Sequence, residues 1–298
     1  MASNDANVKS PIFYTGGLTK YMHPGMQRGN VFYVNTVGAG GLDTNDGLTP
    51  RAPFLTLTAA IAACTSDRHD LIVVLNWWLN EACPIVVDKR MVTIVGASSG
   101  SIAQPAVQIA AAGDTQIFEI AERDVAIHDL ILDGTASINH GCVEFTAGAG
   151  MVRQGIYGCY FRGANFGVWS DVNSAPATHL CVSNCYFEST LLTDGILIAG
   201  NVAFARFQNN IFDAIPGIGI NVTGGPGAGM ILDNRFILPS NTQGKAITLG
   251  GTSVRWMVDG NHANYGVTEM AGNPYEDSSA AVNNWLVNWK VTTSTIPA

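Results

Sequence analysis

Charge is scarce in this chain. Only 13% of its 298 residues are Asp, Glu, Lys or Arg, and the balance is acidic, with a net charge of -8 and a pI near 5.1. No basic run is longer than Lys89-Arg90, so the positive stripe of a nucleic-acid surface is missing, and DNA and anionic membranes are excluded as partners. Long apolar stretches are missing as well: nothing approaches the roughly 20 residues of a membrane-spanning helix. The first 30 residues mix Asn, Asp, Lys, Pro, Gly and His where a secretory leader would be continuously apolar. Synthesis in a cytoplasm is the expectation. Paired cysteines are absent too. Cys64, Cys83, Cys142, Cys159, Cys181 and Cys185 lack the double short spacings of a zinc site, and read as reduced, small, buried apolar residues. No metal and no cofactor are expected.

What the chain does have is 47% hydrophobic residues and 33 Gly, enough for a large core with many tight turns. From about Val92 short apolar strands alternate with Gly, Asn and Asp, and no amphipathic helical period interrupts them until the end. Six segments align with one another: Ile127–Leu132, Ile156–Phe161, Val182–Phe187, Phe207–Phe212, Ile231–Phe236 and Met257–His262. Each has an apolar start, a turn residue at its third place and, mostly, a large apolar sixth. Their starts lie 24 to 29 residues apart, a drifting period that a solenoid accommodates in outward loops. A second apolar strand sits between units, as in Cys142–Phe145, Gly167–Trp169, Gly195–Ile198, Gly217–Val222 and Lys245–Leu249. Two or three strands per coil is the geometry of a parallel β-helix, an all-β fold.

Stacked coils place equivalent residues about 4.8 Å apart. The third place, including Asn184, Asn209, Asp233 and Asp259, is therefore read as a turn ladder. Ahead of the repeat, Val31-Phe-Tyr-Val34 is a strand and Pro53 to Ala63 a short helix with Thr56 as N-cap and a stripe at Leu57, Ala60, Ile61 and Cys64. Such a helix closes the apolar mouth of a solenoid. The organisation expected is an N-terminal arm (1–30), a capping strand and helix leading into the first coil (31–91), the β-helix (92–264) and a C-terminal tail (265–298).

The run Tyr33-Val34, Asp43-Thr-Asn-Asp-Gly47, Pro53-Phe54-Leu-Thr56 and Ala59-Ala-Ile61 resembles the opening of pectate-lyase-like, right-handed, single-stranded parallel β-helix proteins, among them phage tailspikes and other virion proteins. The resemblance covers roughly Val31 to Asn264 and supplies the handedness. The same opening precedes lyases, hydrolases, epimerases and inert virion parts, so function has to come from a site.

Chemistry is thin in the sequence. Thr193-Asp-Gly195 and Asn139-His-Gly141 look like polygalacturonase fragments, but in the wrong order and without that family's paired aspartates. The carboxylate cluster that Ca²⁺ would need is not found in the repeats, and Asp43, Asn45 and Asp46 suit a metal-free turn. The place after each unit's sixth residue reads Asp133, Arg162, Glu188, Asp213 and Ile237. Glu188 and Asp213 would lie one coil apart, the separation of a retaining glycosidase pair. The same row also reads as an exposed corner ladder in which Arg162 offsets its acidic neighbours.

The resemblance, the modest length and the terminal arms imply a structural virion protein rather than an enzyme: a homotrimeric decoration or cement protein on the capsid surface, contacting the major capsid protein. Phe13, Tyr14 and Tyr21 of the arm and Trp285 and Trp289 of the tail are the interface candidates. The alternative is a tailspike-like β-helix that binds or cleaves host polysaccharide, with Trp169, Tyr160, Tyr186 and Phe187 as glycan platforms.

Overall fold

The computed structural model describes residues 29–75, 78–97, 107–135, 137–145, 152–171, 178–200, 202–224, 227–238, 245–265, 274–279 and 283–291. They form a right-handed parallel β-helix. Three sheets run along the rod. The first has ten strands, from Val31–Val34 to Asn284–Trp285; the second has nine, from Trp78–Asn80 to Trp289–Val291; the third has eight, from Ile85–Val87 to Tyr275–Asp277. Each strand pairs in parallel with its equivalent one coil away, so that Ile156 stands between Ile127 and Val182.

The repeat folds this way because its side chains alternate sides. Ile127, Ile156, Val182, Phe207, Ile231 and Val258 are buried in one interior column of the first sheet. The turn residue that follows must then swing the chain through a left-handed conformation, and Asp129, Gly158, Asn184, Asn209 and Asp233 all have φ between 52° and 61°. Asp, Asn and Gly are the residues that enter this region at least cost. Beyond the turn the unit's last apolar residue points inward again, and in the second sheet Phe161, Phe187, Phe212 and Phe236 stack with centroids 4.6 to 4.8 Å apart and planes within 8°.

That phenylalanine column needs space on the opposite wall, and glycines of the third sheet provide it. A Cβ on Gly167, Gly195 or Gly219 would come within 2.5 to 2.6 Å of the ring of Phe187, Phe212 or Phe236, respectively. Each Gly sits beside a buried Val or Ile on its own strand, so small and large residues interlock coil by coil.

The polar ladder lies one residue later than the third-place reading. Asn184, Asn209 and Asp233 occupy the left-handed turn position, whereas the buried amides are Asn210, Asn234 and Asn261, running on to Asn288. The Oδ1 of Asn234, Asn261 and Asn288 each accepts from the backbone N–H and the side-chain amide of the asparagine one coil before, at 2.9 to 3.2 Å, Asn210 Oδ1 accepts from Cys185 N–H at 3.0 Å, and each Nδ2 of the buried three also reaches a carbonyl such as Val182 O or Phe207 O. Asp259 is not in the turn column. Val258, rather than Met257, is opposite Ile231, so Gly260, at φ 66°, takes the turn position in that coil. The aspartate instead accepts from Val287 N–H at 3.1 Å.

Coils also continue on both sides of the 92–264 span. Val31–Val34 and Asp70–Val74 already belong to the first sheet, and Tyr275–Asp277, Asn284–Trp285 and Trp289–Val291 add a further strand to each sheet. The helix α1, Leu57–Ala63, buries Leu57, Ala60 and Ile61 in the core, and Thr56 Oγ accepts from Ala59 N–H at 3.1 Å, as its sequence predicts. A second cap comes from Glu81, buried at 3% exposure, whose carboxylate accepts from Leu57 N–H (2.8 Å), Thr58 N–H (3.1 Å) and the Thr58 hydroxyl (2.8 Å). The Asp43–Gly47 loop uses its polar side chains internally: Asp43 accepts from Leu55 and Thr56 N–H at 2.9 Å, and Asn45 donates to Pro53 O at 2.7 Å. The cysteines are all free thiols, buried at Cys64, Cys142, Cys159 and Cys185 and half-buried at Cys83 and Cys181. Burial pushes the Cys64 thiol up to about 12 and Cys83 to about 11.

Candidate functional site

Two outward faces of the rod carry polar chemistry. On the second sheet, Tyr160 and Tyr186 stand in register and stack at 4.9 Å, nearly coplanar at 7°. Glu188 lies on the coil of Tyr186 and Asp213 on the next, at the equivalent place just beyond the paired Phe187 and Phe212. The structure therefore brings the two carboxylates to neighbouring coils, and it also engages each of them. Tyr186 donates its hydroxyl to Asp213 at 2.5 Å, and Glu188 accepts from the Thr190 hydroxyl at 3.1 Å. Burial, then the adjacent Glu188, pushes the Tyr160 phenol up to about 12; burial and the bond to Asp213 also raise Tyr186. Arg162 pairs with Asp133 at 2.7 Å, and Gln108 Nε2 donates to the same carboxylate at 2.9 Å. Asp133 is buried and Arg162, Glu188 and Asp213 are half-buried, so the row is not an exposed corner. Phe187 is interior and cannot serve as a glycan platform.

The third sheet's outer face holds a cluster that no sequence unit pointed to. Glu119, Glu144 and Trp169 are mutually in register on three successive strands. Glu144 accepts from Gly141 N–H at 2.7 Å, and His140 Nδ1 lies 3.1 Å from the same oxygen. Trp169 packs against His140 (6.3 Å) and Phe166 (5.2 Å), and Asp114 holds the Asn139 backbone N–H at 3.0 Å. Burial is the main reason that the Glu144 carboxyl titrates above its ordinary value; Gly141 N–H and His140 oppose the shift, and Glu119 adds to it. The two fragments set aside in the sequence for their order meet on this face: Gly141, Phe166 and Asp194 are successive members of one row. Asp194 is itself buried, accepts from Ile218 N–H and Asn221 Nδ2, and is raised chiefly by burial.

Two carboxyls on neighbouring coils, one of them raised by burial, are the kind of arrangement from which acid and base roles at one centre are built. The half-buried indole beside it offers a flat apolar surface for a ring. Of this cluster the sequence points to Trp169 alone, as a glycan platform; Glu119 and Glu144 fall on the intermediate strands, outside the aligned units, and join it only through the register of the third sheet.

Of the interface candidates, Phe13, Tyr14 and Tyr21 lie outside the described residues. Trp285 is half-buried against Tyr275, and its indole N–H donates to Asp277 at 2.9 Å. Trp289 lies on the last strand of the second sheet, opposite His262; its side chain lies outside the described residues. Leu286 and Val287 between them are 47% and 59% exposed. Among the described residues no three His, Cys, Asp or Glu side chains gather as a metal site would need, and no helix is long and apolar enough to cross a membrane.

The strand pairing and interior ladders define the class: a right-handed parallel β-helix. No protein-family model matches the chain, and no curated protein sequence matches it. Among solved structures it is similar to a pectin methylesterase in complex with a hexasaccharide, at 15% identity and a TM-score of 0.45, covering 81% of this chain and 90% of that one. It is also similar to the ORF18 protein of Geobacillus virus E2, at 13% identity and a TM-score of 0.34, covering 86% of this chain and 62% of that one.

Proposed function

We propose that this chain is a structural component of a phage virion, a homotrimeric decoration protein that stands on the capsid surface and contacts the major capsid protein. The observation that carries the reading is the build of the rod. Three unbroken sheets share one interior of amide and phenylalanine ladders, closed by α1 near its first coil and ending in a coil that presents Leu286 and Val287 to solvent beside Trp285. Exposed apolar side chains at one end of a stiff solenoid suit attachment to another protein. Threefold clustering of weak ends multiplies such contacts on an icosahedral shell. The test is quantitative mass spectrometry of purified particles together with light scattering of the isolated protein. Copies comparable in number with the shell protein, and a mass of three chains, are the expected result; a few copies per particle would sink the decoration role.

A second reading, recognition or cleavage of a host surface polysaccharide, is favoured by the Glu119, Glu144, His140 and Trp169 cluster. Glu188 and Asp213, engaged by the Thr190 and Tyr186 hydroxyls, support it less. If this reading holds, Glu144→Gln abolishes depolymerisation of host polysaccharide while Glu188→Gln leaves it within a few-fold of the parent.

A further inference from the structure

The outer faces of the first and second sheets meet at the exposed turn column of Asn184, Asn209 and Asp233. On the first sheet, Cys181, Arg206, Met230 and Met257 follow one another in register on the outer side. Arg206 is exposed, and among the described residues no carboxylate pairs with it, in a chain of net charge -8. Met230 is 43% exposed, and Phe204, two residues before Arg206, is 62% exposed. Phe204 holds φ at 58°, a left-handed backbone that a bulky side chain enters only at a cost, and its ring lies on His179 with centroids 5.1 Å apart. Aromatic, Met and Arg side chains are the residues enriched where one protein covers another.

The outer row of the second sheet on the same coils is the complement of this one. Glu188, Asp213 and Ile237 occupy equivalent places there, all half-buried. Counted from the turn residue of its own coil, the first row stands three places before and the second four places after, at 184, 209 and 233 alike. The two rows therefore run at similar distances on either side of one edge of the rod. Arg206 shares its coil with Asp213, and Met230 shares its coil with Ile237.

We infer that these two faces are the halves of one heterologous contact through which a second copy of this chain docks, a contact that presupposes the homotrimer proposed above. The outer face of the first sheet in one protomer lies on the outer face of the second sheet in the next. A threefold axis parallel to the rod turns each protomer without shifting it lengthwise, so every coil meets its own equivalent. With the turn column of each rod nearest the axis, rows three and four residues from that column come opposite each other. Arg206 then faces Asp213 of the partner subunit, and one coil on Met230 faces Ile237 of the partner subunit. Opposite charges meet and apolar side chains meet, the matching that fixes register between two surfaces. Closure of the ring uses both faces of all three chains.

The test is the mass of the full-length protein by light scattering, with circular dichroism as the check on folding, for the parent and three variants. Arg206→Glu should reduce a mass of three chains to one, and Arg206→Glu combined with Asp213→Arg should restore three. Met230→Asp, a change at an exposed position, should also give one chain. A trimer that survives both Arg206→Glu and Met230→Asp leaves the homotrimer standing and overturns the docking faces, which would then belong to another occupant such as an anionic glycan. A folded double variant that stays a single chain overturns the match of Arg206 with Asp213. A parent of one chain overturns the homotrimer itself, and this contact with it.

Discussion

At the scale of single residues, neighbouring positions in the turn have opposite duties. Asn209 is exposed with φ 54°, whereas Asn210 is fully buried and bonded above and below. Replacing Asn234 by Ala removes the oxygen that accepts from Asn210 N–H and from one of the two Nδ2 hydrogens, both at 3.0 Å, leaving Nδ2 only its bond to Val182 O. Leaving such donors buried without a partner should cost about 2 to 4 kcal/mol, seen as a lower urea midpoint at unchanged slope. Asn209→Gly, which keeps the turn's backbone preference, should stay within about 0.5 kcal/mol of the parent. The glycine column makes a second residue-scale prediction. In Gly195→Ala the new methyl meets the Phe212 ring at 2.6 Å and Gly219 O at 2.7 Å, an overpacking expected to cost about 1 to 3 kcal/mol or more. Adding Phe212→Leu opens the ring side, so the double variant should be less destabilised than the sum of the two single ones. This ladder was legible in the sequence to within one position. Spacing alone shows that Asn and Asp recur every coil; which of two adjacent polar residues points inward is decided by the left-handed φ of the first.

Among the elements, α1 was readable almost completely. Its N-cap and buried stripe lie within a few consecutive residues, where local chemistry decides. The second cap was not readable, because Glu81 stands 24 residues beyond Leu57 and arrives only through the coil's closure. Burial raises its carboxyl above the ordinary value of 4.5, against the lowering by the Leu57 and Thr58 N–H groups. The sign follows from proton counting: between 4.5 and the raised value the folded chain binds more protons than the unfolded one, so stability falls as pH rises through that window. Below 4.5 Glu81 makes its full contribution. Thermal unfolding midpoints measured across this range should decline in the parent, and Glu81→Gln should remove that part of the slope; an identical slope in the two proteins would exclude Glu81 as its source. The Glu119, Glu144 and Trp169 cluster was hidden for the same reason as Glu81. Its members are each some 25 residues apart and are ordinary surface residues until the third sheet sets them side by side.

For the whole molecule, the consequence of the repeat is that a coil is an exchangeable unit. Each coil touches mainly the coils before and after it, so stability is close to a sum of coil and interface terms. Register states where a cut leaves every ladder whole. Asp213 pairs with Ile237, and the stretch 214–237 contains one strand of each sheet, namely Ile218–Val222, Gly229–Leu232 and Arg235–Leu238 through its third residue. Removing 214–237 takes out Gly219 together with the Phe236 ring it accommodates, and Asn234 together with its rung. What remains brings Asn210 onto Asn261, Ile198 onto Leu249 and Phe207 onto Val258, the pairings that the deleted coil mediated on either side. The shortened chain should therefore stay soluble and unfold cooperatively, with an unchanged circular-dichroism signal per residue. Deleting only 214–225 removes the third-sheet strand while keeping its first- and second-sheet partners, so Gly195 would lose its neighbour while Phe236 would lose its glycine. That chain should aggregate or fail to fold. If both deletions behaved alike, the in-register ladders would not be what specifies the stack. The contrast between a whole coil and half a coil therefore tests the fold's logic independently of any function.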